Sequence, residues 1–397
     1  LFPYTTLFRS DIAGSVYEFN NIKTTKFDLL GRGTTFTDDT VLTIAVAYWL
    51  LDGSLSKERL AFTLSYFVKK YPHPMGSYGG RFLQWAHGDI YKPYNSWGNG
   101  SAMRVAPVGW AFDTLEETER IAAISAEVTH NHPEGIKGAQ ATAAAIFMAR
   151  NLATKAEIKS YIEQKYRYNL SKTCDEIRPT YQFIESCQET VPQAIIAFLD
   201  SRDFESAIRL AVSLGGDSDT LACITGGIAE AFYGMTFSIP DTIDSCNDIN
   251  MYFIEKVMEK LPDDLSNTVN EFNEKIISKN KRFWAKNDSK TVRQEVIWTK
   301  ENFEDKVLDE ESYKSFLLGY QPDWEMRFAV YYEDGWSYVY RSFFLLKKFK
   351  FTKQSDGLYH LTELYKSEKE VNFDIIENIL LHGYFQKPFN YINRLDF

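Results

Sequence analysis

Cysteine and positive charge are both scarce in this sequence of 397 residues. The four cysteines form no Cys-x-x-Cys pair, and we interpret them as reduced thiols of a cytoplasmic protein. Lysine and arginine number 44 against 54 aspartates and glutamates, which gives a net charge of −10. A general nucleic-acid binder or a protein of anionic membrane surfaces needs a basic face, so we predict neither function.

Long apolar runs are also missing. No stretch reaches the roughly 18 continuous apolar residues of a membrane span, so we predict no transmembrane segment. Hydrophobic residues make up 44% of the chain and charged residues 25%, and this length predicts one large domain and a smaller one. Leu1–Ser10 lacks the features of a signal peptide and follows one reading frame of a common sequencing-adapter oligonucleotide, so we interpret residues 1–10 as a non-native scar.

Residues 11–262 have apolar side chains at helical spacing and no alternation long enough for a sheet. We therefore predict an all-α domain, with glycine-bearing loops between its helices. The predicted helices are Thr40–Leu51, Lys57–Lys69, Glu117–Val128, Ile136–Leu152, Pro192–Leu199, Phe204–Val212, Thr220–Phe232 and Met251–Leu261.

The character of the sequence changes after residue 262. Residues 263–300 are predicted to be a polar linker, with a helix over Ser266–Lys279 and a basic stretch over Lys281–Lys290. Residues 301–397 are predicted to form a small α+β domain of unknown role. Its predicted elements are a helix over Phe303–Leu318, strands over Arg327–Tyr332, Ser337–Phe344, Lys348–Thr352 and Leu358–Leu361, and a hairpin turn at Asp334-Gly335.

Two short acidic clusters each stand at the start of an apolar helix. They are Thr37-Asp38-Asp39-Thr40 and Asp217-Ser218-Asp219-Thr220. Aspartate and threonine are favoured at helix N-termini, so capping alone would explain either cluster. Together the clusters offer four carboxylates and several hydroxyls, which are the oxygen ligands that Mg²⁺ prefers. The pair therefore predicts a cation site, provided that the fold brings the two helix starts together.

Five segments in order along the chain carry a family resemblance. They are Asp11–Glu18, Phe36–Thr40, Trp97–Arg104, Thr129-His130 and Gly215–Thr220. Their order and spacing resemble the ADP-ribosylglycohydrolase family over about Asp11 to Gly234. The resemblance implies an all-α fold of orthogonal helices and a central cleft that binds two Mg²⁺ ions, with Mn²⁺ as an alternative. It also implies hydrolysis of the bond between C1″ of ADP-ribose and an acceptor.

The resemblance further implies roles for individual carboxylates. The implied metal ligands are Thr37, Asp38, Asp39, Asp217, Asp219 and Thr220. Two ions close together need several anionic ligands, and adjacent aspartates such as Asp38 and Asp39 project differently enough to serve different ions. Glu18 matches a family glutamate that lies beside the metals, and we predict Glu18, Asp38 and Asp39 as the catalytic carboxylates. By itself, Glu18 is equally compatible with a solvated helical residue.

The loop that begins at Trp97 is implied to bind substrate. Backbone N–H groups of Gly98, Gly100 and Ser101 can face a diphosphate, and Trp97 can stack on adenine or a ribose. His130 matches a family position near the bound ADP-ribose, although a histidine after a helix is often only a partner of the helix dipole.

Two neighbouring segments carry weaker signals. Arg104 either contacts substrate or pairs with an acidic neighbour. The loop Ser77–Gly80 is expected to complete the cleft. Arginine-directed relatives tend to carry an aspartate near this loop, where this chain has Arg81, and this argues against an arginine-linked substrate.

The sequence thus predicts a monomeric, Mg²⁺-dependent hydrolase that removes ADP-ribose from a modified protein or small molecule. Two alternatives stay open: a non-catalytic ADP-ribose-binding module, and a Mg²⁺-dependent hydrolase of another nucleotide-like substrate. The presence of every implied ligand and of Glu18 favours an enzyme. The acceptor is not specified, and arginine, serine, a nucleic-acid base and a metabolite are all compatible with the sequence.

Overall fold

The computed structural model describes residues 9–151, 153–233 and 259–276, and further along the chain 299–302, 306–309, 313, 328–333, 336–341, 344–367 and 391–392. The chain divides into two compact units, Phe2–Lys279 and Asn280–Phe397. In these residues the first unit is helical and the second is built mainly from strands, which confirms the predicted fold class. No helix in the same ranges is both long and apolar enough to cross a bilayer.

The helices of the first unit are numbered in chain order. They are α1 (Arg9–Gly14), α2 (Asp38–Asp52), α3 (Lys57–Lys70), α4 (Gly80–Ala86), α5 (Gly100–Met103), α6 (Ala106–Ala111), α7 (Leu115–Glu127), α8 (Pro133–Arg150), α9 (Lys155–Tyr166), α10 (Cys174–Ile177), α11 (Cys187–Asp200), α12 (Phe204–Ser213), α13 (Ser218–Tyr233) and α14 (Asp263–Lys275).

All the predicted helices between Thr40 and Phe232 are present within a few residues of their predicted bounds. The prediction missed α1, α4, α5, α6, α9 and α10. Of these, α9 carries a readable signal, because Thr154 and Glu157 form a capping box at its start. The helix predicted over Met251–Leu261 lies mostly outside the described residues, and Glu259–Leu261 is not helical.

Helix α13 lies at the centre of the first unit. Every residue from Ser218 to Ala231 is buried, and the helix packs against α1, α8, α11 and α12. The end of α1 contacts the start of α13 directly: a Cβ atom on Gly14 would lie 2.7 Å from Cα of Asp219. Because glycine lacks Cβ, it permits this approach of two backbones. The approach brings the segment after Gly14 to the N-terminus of α13.

Helix α2 lies beside this junction. Its residues from Asp39 to Ala47 are all buried, and it packs against α3, α6 and α14. The hydroxyl of Thr37 accepts a hydrogen bond of 3.2 Å from the Asp39 N–H group and so caps the helix. The first acidic cluster therefore caps α2, as predicted, and it also lies beside α13.

The second unit contains an antiparallel sheet. Its strands are β1 (Thr299–Lys300), β2 (Val307–Leu308), β3 (Phe328–Glu333), β4 (Trp336–Arg341), β5 (Phe344–Lys353), β6 (Tyr359–Lys366) and β7 (Tyr391–Ile392). Their order is β3-β4-β5-β6-β2-β7, with β1 also paired to β6. Glu333 pairs with Trp336, so the predicted Asp334-Gly335 turn joins paired strands but itself lies outside the described residues.

The four predicted strands correspond to β3–β6, although β5 is twice as long as predicted because it begins at Phe344. The prediction of a helix over Phe303–Leu318 is wrong at Val307–Leu308, which pairs with β6 and β7 as a strand. Two residues are too short a strand to be read from alternation, because their partners lie far away in the sequence. The predicted linker over Lys281–Lys290 lies outside the described residues.

Candidate active site

The structure brings the two acidic clusters together. The Thr220 hydroxyl at the start of α13 donates a hydrogen bond of 3.0 Å to a carboxylate oxygen of Asp39 at the start of α2. Asp38, Asp217 and Asp219 all line one cavity of about 620 Å³. The four aspartates of the two helix starts therefore share a single site, although their sequence positions differ by about 180 residues.

Asp11 lies behind this site and joins it to α1. Its carboxylate is fully buried and accepts hydrogen bonds from the backbone N–H groups and the hydroxyls of Thr37 and Thr40. The bond from the Thr37 hydroxyl measures 2.7 Å. Asp11 therefore holds the first turn of α2 in place.

The carboxylates form two overlapping groups. Asp11, Asp39 and Asp219 make one group, and Glu18, Asp217 and Asp219 make the other, each with ligand atoms within 4.8 Å of one another. Asp219 belongs to both groups, and its buried Oδ1 has no hydrogen-bond partner among the residues that the structure describes. A buried carboxylate oxygen without a partner is costly. The chemistry of these acidic residues therefore suits a hard cation, which would bind this oxygen.

The raised pKa values of the buried carboxyls also favour a cation site. Burial and the neighbouring carboxylates raise the pKa of Asp38, Asp39 and Asp219 well above the usual range. Burial raises the pKa of Asp11 to about 6, although the four hydrogen bonds to it act in the opposite direction. The pKa of Glu18 rises to about 8, first through burial and then through the nearby carboxylates. A divalent cation would reverse these shifts by favouring the charged forms.

Glu18 follows the short 3₁₀ turn Ser15–Tyr17 and lies against a second loop. A Cβ atom on Gly76 would lie 2.5 Å from Oε2 of Glu18, so only glycine allows this contact. The buried Oε2 atom has no hydrogen-bond partner in the described residues. Both Glu18 and the predicted loop Ser77–Gly80 line the cavity.

The predicted substrate loop forms another part of the cavity lining. Trp97 is 48% exposed and contacts the His132 ring at 5.5 Å between centroids. The Gly98 N–H group donates to the Ser96 hydroxyl at 3.1 Å, and Gly100 begins α5. Trp97, Gly98 and Gly100 line the cavity.

Asn99 connects this loop to the acidic side of the cavity. Its side-chain amide donates to Asp217 at 2.7 Å and to the Thr190 hydroxyl at 3.2 Å. Ser101, in contrast, lies behind the cavity wall, where its buried hydroxyl donates to the Gly135 carbonyl oxygen at 2.7 Å. The side chain of Ser101 therefore stabilises the loop from behind.

Arg104, Thr129 and His130 form a buried polar chain beside the cavity. The Arg104 Nη2 group donates to the Thr129 hydroxyl at 2.8 Å, and this hydroxyl lies 2.7 Å from Nδ1 of His130. Burial and nearby arginines hold the pKa of His130 well below its usual range, so its ring is neutral. If the Thr129 hydroxyl donates to Nδ1, the ring proton is on Nε2, which faces Gly98 and Gly100.

Arg104 has no acidic partner among the residues that the structure describes. It is fully buried, its Nε and Nη1 atoms lack hydrogen-bond partners, and it lines the cavity. Arg81 lies close by, with its guanidinium 4.9 Å from the centre of the Tyr94 ring. The cavity thus has an acidic side formed by the aspartates and Glu18, and a basic side formed by Arg81, Arg104 and the His130 donor.

Comparison with known proteins agrees with this geometry. The family model described as ADP-ribosylglycohydrolase matches residues 7–274, which is more than half of the chain. The chain belongs to the ADP-ribosylglycohydrolase family. The matched residues include every residue of the cavity described above, whereas the strand-containing unit lies outside the match.

Three proteins are similar to parts of this chain. ADP-ribosylhydrolase ARH3 of Mus musculus is 28% identical over 260 residues, which cover 50% of this chain and 70% of ARH3. ADP-ribosylarginine hydrolase Tri1 of Pseudomonas putida is 27% identical over 235 residues, which cover 53% of this chain and 62% of Tri1. An uncharacterised protein of Archaeoglobus fulgidus is 32% identical over 178 residues, which cover 41% of this chain and 57% of that protein.

A solved structure described as an ADP-ribosylglycohydrolase-related protein complex also aligns with the chain. The identity is 21% and the TM-score 0.46, over 64% of this chain and 94% of the solved one. The chain spans little more than half of several relatives that it matches, such as 57% of the Archaeoglobus fulgidus protein.

Within this ADP-ribosylglycohydrolase site, the sequence did not single out two residues that the structure places at the cavity or behind it. Asp11 holds the turn of Thr37, and Asn99 binds the carboxylate of Asp217. Both lie inside the motifs that carried the family resemblance. Their contacts are long-range, so spacing along the chain gave no sign of them.

Proposed function

We propose that this protein is a divalent-cation-dependent hydrolase that releases ADP-ribose from a modified acceptor by cleaving the C1″ glycosidic bond. The observation that carries the proposal is the meeting of two aspartate pairs and Glu18 in one cavity of an ADP-ribosylglycohydrolase chain. The proposed cations are two Mg²⁺ ions, with Mn²⁺ as the alternative. The acidic residues form two sets of three that share Asp219, and two sets support a pair of ions rather than one.

The residues present fit such ions. The proposed ligands are Thr37, Asp38, Asp39, Asp217, Asp219 and Thr220, all of them at the two helix starts. The oxygen-only donor set and the unpartnered Oδ1 of Asp219 favour a hard cation over a soft one. When bound, the cations would supply positive charge that holds the ribose hydroxyls and polarises the bond to the acceptor.

The chain's own carboxylates would then handle the proton and the developing charge. Glu18 lines the cavity and forms one carboxylate cluster with Asp217 and Asp219, so it is placed to give a proton to the departing acceptor as a general acid. After the acceptor has left, the same group can take a proton from the attacking water, helped by Asp38 or Asp39. Nearby negative charge stabilises the positive character that C1″ acquires in an oxocarbenium-like transition state.

The other side of the cavity suits the diphosphate of ADP-ribose. Arg104 and Arg81 are cationic, and a protonated Nε2 of His130 would add a hydrogen-bond donor. The half-exposed Trp97 offers a flat apolar face to adenine or a ribose. The presence of carboxylates and guanidinium groups in one cavity therefore supports a ligand that carries both phosphates and a reacting ribose.

The proposed partner is an ADP-ribosylated protein or small molecule, and the proposed setting is a cytoplasmic monomer. Relatives named ADP-ribosylhydrolase and ADP-ribosylarginine hydrolase support the removal of ADP-ribose. Arg81 stands where arginine-directed relatives tend to carry an aspartate, and this supports an acceptor other than arginine.

The test is release of ADP-ribose from a panel of ADP-ribosylated acceptors with Mg²⁺, and with EDTA. We expect free ADP-ribose with metal, and loss of activity with EDTA or in Asp217→Ala. The control is Asp89→Ala, which removes an exposed carboxylate far along the chain from either cluster. Turnover by Asp217→Ala in EDTA would refute the cation site. Binding without turnover would indicate a reader module, and AMP with ribose phosphate would indicate a different hydrolase.

A further inference from the structure

A short segment after Glu18 holds the loop that precedes Asp217. In this clamp segment, Asn21–Lys23, the Asn21 side chain exchanges two hydrogen bonds with the backbone of Gly216: Nδ2 donates to the carbonyl oxygen at 2.9 Å, and Oδ1 accepts from the N–H group at 2.6 Å. The same Nδ2 group lies 2.8 Å from the Glu18 carbonyl oxygen. One amide therefore contacts the backbones that carry Glu18 and Asp217.

Lys23 makes the second connection of the clamp segment. Its ammonium group donates to the Leu214 carbonyl oxygen and, at 2.7 Å, to the Tyr181 carbonyl oxygen. A Cβ atom on Gly215 would lie 2.9 Å from this ammonium group, so Lys23 packs directly on the loop. The carbonyl oxygens of Leu214 and Gly216 are thus both bound by side chains of a single segment.

The loop needs such outside support because of its backbone. Gly215 and Gly216 have φ angles of +71° and +74°, a region that glycine enters readily and other residues rarely do. Two adjacent glycines also have the largest backbone freedom to lose when the loop is ordered. Gly216 is the residue immediately before Asp217, so its conformation determines where the Asp217 carboxylate points.

We propose that Asn21 and Lys23 are positioning residues that hold Glu18 and Asp217 at the spacing the cations require. The proposal rests on the proposed function for the presence of the cations, and it adds residues that touch neither cation nor substrate. Outer residues that orient metal ligands typically contribute 10- to 100-fold to metal affinity. The clamp segment is exposed, so its side chains can be changed without opening the core.

The first measurement is calorimetric titration of Mn²⁺ into metal-free protein, without substrate. We expect Asn21→Ala and Lys23→Met each to weaken Mn²⁺ binding by about 10-fold or more. The matched controls are Asn20→Ala and Lys26→Met, since Asn20 makes only one long bond of 3.4 Å to Val16 and the Lys26 side chain is exposed. Lys23→Arg keeps a cationic donor and should restore most of the affinity.

The second measurement is hydrogen exchange in the metal-free protein, which reports on the loop itself. Exchange of the Gly216 N–H group should be faster in Asn21→Ala than in Asn20→Ala, while the unfolding temperature of the two variants stays similar. Equal Mn²⁺ affinity in Asn21→Ala and Asn20→Ala would overturn the proposal. If wild-type protein bound no Mn²⁺, the cation part of the proposed function would fail, and unchanged Gly216 exchange would then overturn the clamp separately.

Discussion

Asp219 belongs to both sets of acidic residues, Asp11 with Asp39 and Glu18 with Asp217. It is buried, its Oδ1 has no hydrogen-bond partner among the described residues, and burial and neighbouring acids raise its pKa well above normal. The metal-free protein therefore favours the protonated form of Asp219, whereas a bound cation would favour the charged form. The charged form of Asp219 thus destabilises the metal-free protein, whereas it would be a ligand in the proposed metal-bound protein.

Asp219→Asn separates these two properties. The amide has the shape of a protonated carboxyl, so we expect metal-free stability to rise by about 1 kcal/mol at alkaline pH, where the wild-type carboxyl is driven towards its charged form, and to change less at acidic pH. ADP-ribose release should fall by about two orders of magnitude or more, because a shared ligand is lost. Chemical denaturation in EDTA and an activity assay check the two effects. A variant that is less stable at both pH values would show that Asp219 makes favourable contacts as an anion.

Arg104 carries the opposite charge and is only partly paired, because its Nη2 atom donates to the Ser125 carbonyl oxygen and the Thr129 hydroxyl. Burial lowers its pKa to about 10, and its Nε and Nη1 atoms have no hydrogen-bond acceptor among the described residues. A buried charge without a charged partner is costly. The position of Arg104 at the cavity therefore supports the proposal that an anion binds there.

Arg104→Met should leave the metal-free protein as stable as wild type, or slightly more stable, and weaken ADP binding in EDTA by about 10-fold. Adenosine binding should change little, because adenosine has no phosphate. Isothermal titration with both ligands makes the comparison within each variant. Arg120→Met serves as the control, since Arg120 pairs with Glu117 on the exposed face of α7. A parallel loss of ADP and adenosine binding would assign Arg104 to cavity shape rather than to charge.

At the scale of elements, the site depends on close helix contacts made at glycines. Gly109 in α6 faces Ile146 in α8, and a Cβ atom there would lie 2.6 Å from two Ile146 carbons and 3.1 Å from the Ala143 carbonyl oxygen. The Ile146 atoms are at the branched base of the side chain, so they cannot rotate away. Helix α8 also contacts α13, so a shift of α8 would reach the acidic site.

Gly109→Ala should therefore destabilise the protein by about 1–3 kcal/mol through overpacking. Gly79→Ala is the control, because Gly79 has a negative φ of −53° and open space around it. Thermal unfolding measures both variants. If Gly109→Ala were as stable as the control, α6 and α8 would have room to separate, and the tight crossing would not support the position of α13.

The elements also show how far the sequence could predict the site. Thr37-Asp38-Asp39 and Asp217-Ser218-Asp219 were readable as helix starts because capping is local. Their meeting was inferred from the family resemblance, since nothing local states that two distant helix starts share a cavity. The Asn21 contact with Gly216 spans 195 residues and leaves no periodic signal. Short helices such as α5 were missed because four residues contain about one helical turn.

At the scale of the whole molecule, the acidic site links cation binding, protonation and stability. Glu18 has a pKa of about 8 in the folded protein against 4.5 when unperturbed, and Asp11 has about 6 against 3.8. Between about pH 4 and 8 the folded protein thus holds more protons than the unfolded chain. Stability from these groups is fully present below the unperturbed pKa values and is lost as the pH rises through the folded ones.

We therefore expect the unfolding temperature in EDTA to fall between about pH 5 and pH 8, and the fall to be smaller with excess Mn²⁺. A cation at 100 times its dissociation constant stabilises the folded state by about 2.7 kcal/mol. At one fixed Mn²⁺ concentration the stabilisation should be larger at the higher pH, because fewer protons must be displaced and the dissociation constant is therefore lower. Calorimetry at both pH values, with Mn²⁺ and with EDTA, measures the four temperatures. Equal stabilisation at the two pH values would mean that cations bind without displacing protons, and so bind away from Glu18 and Asp11.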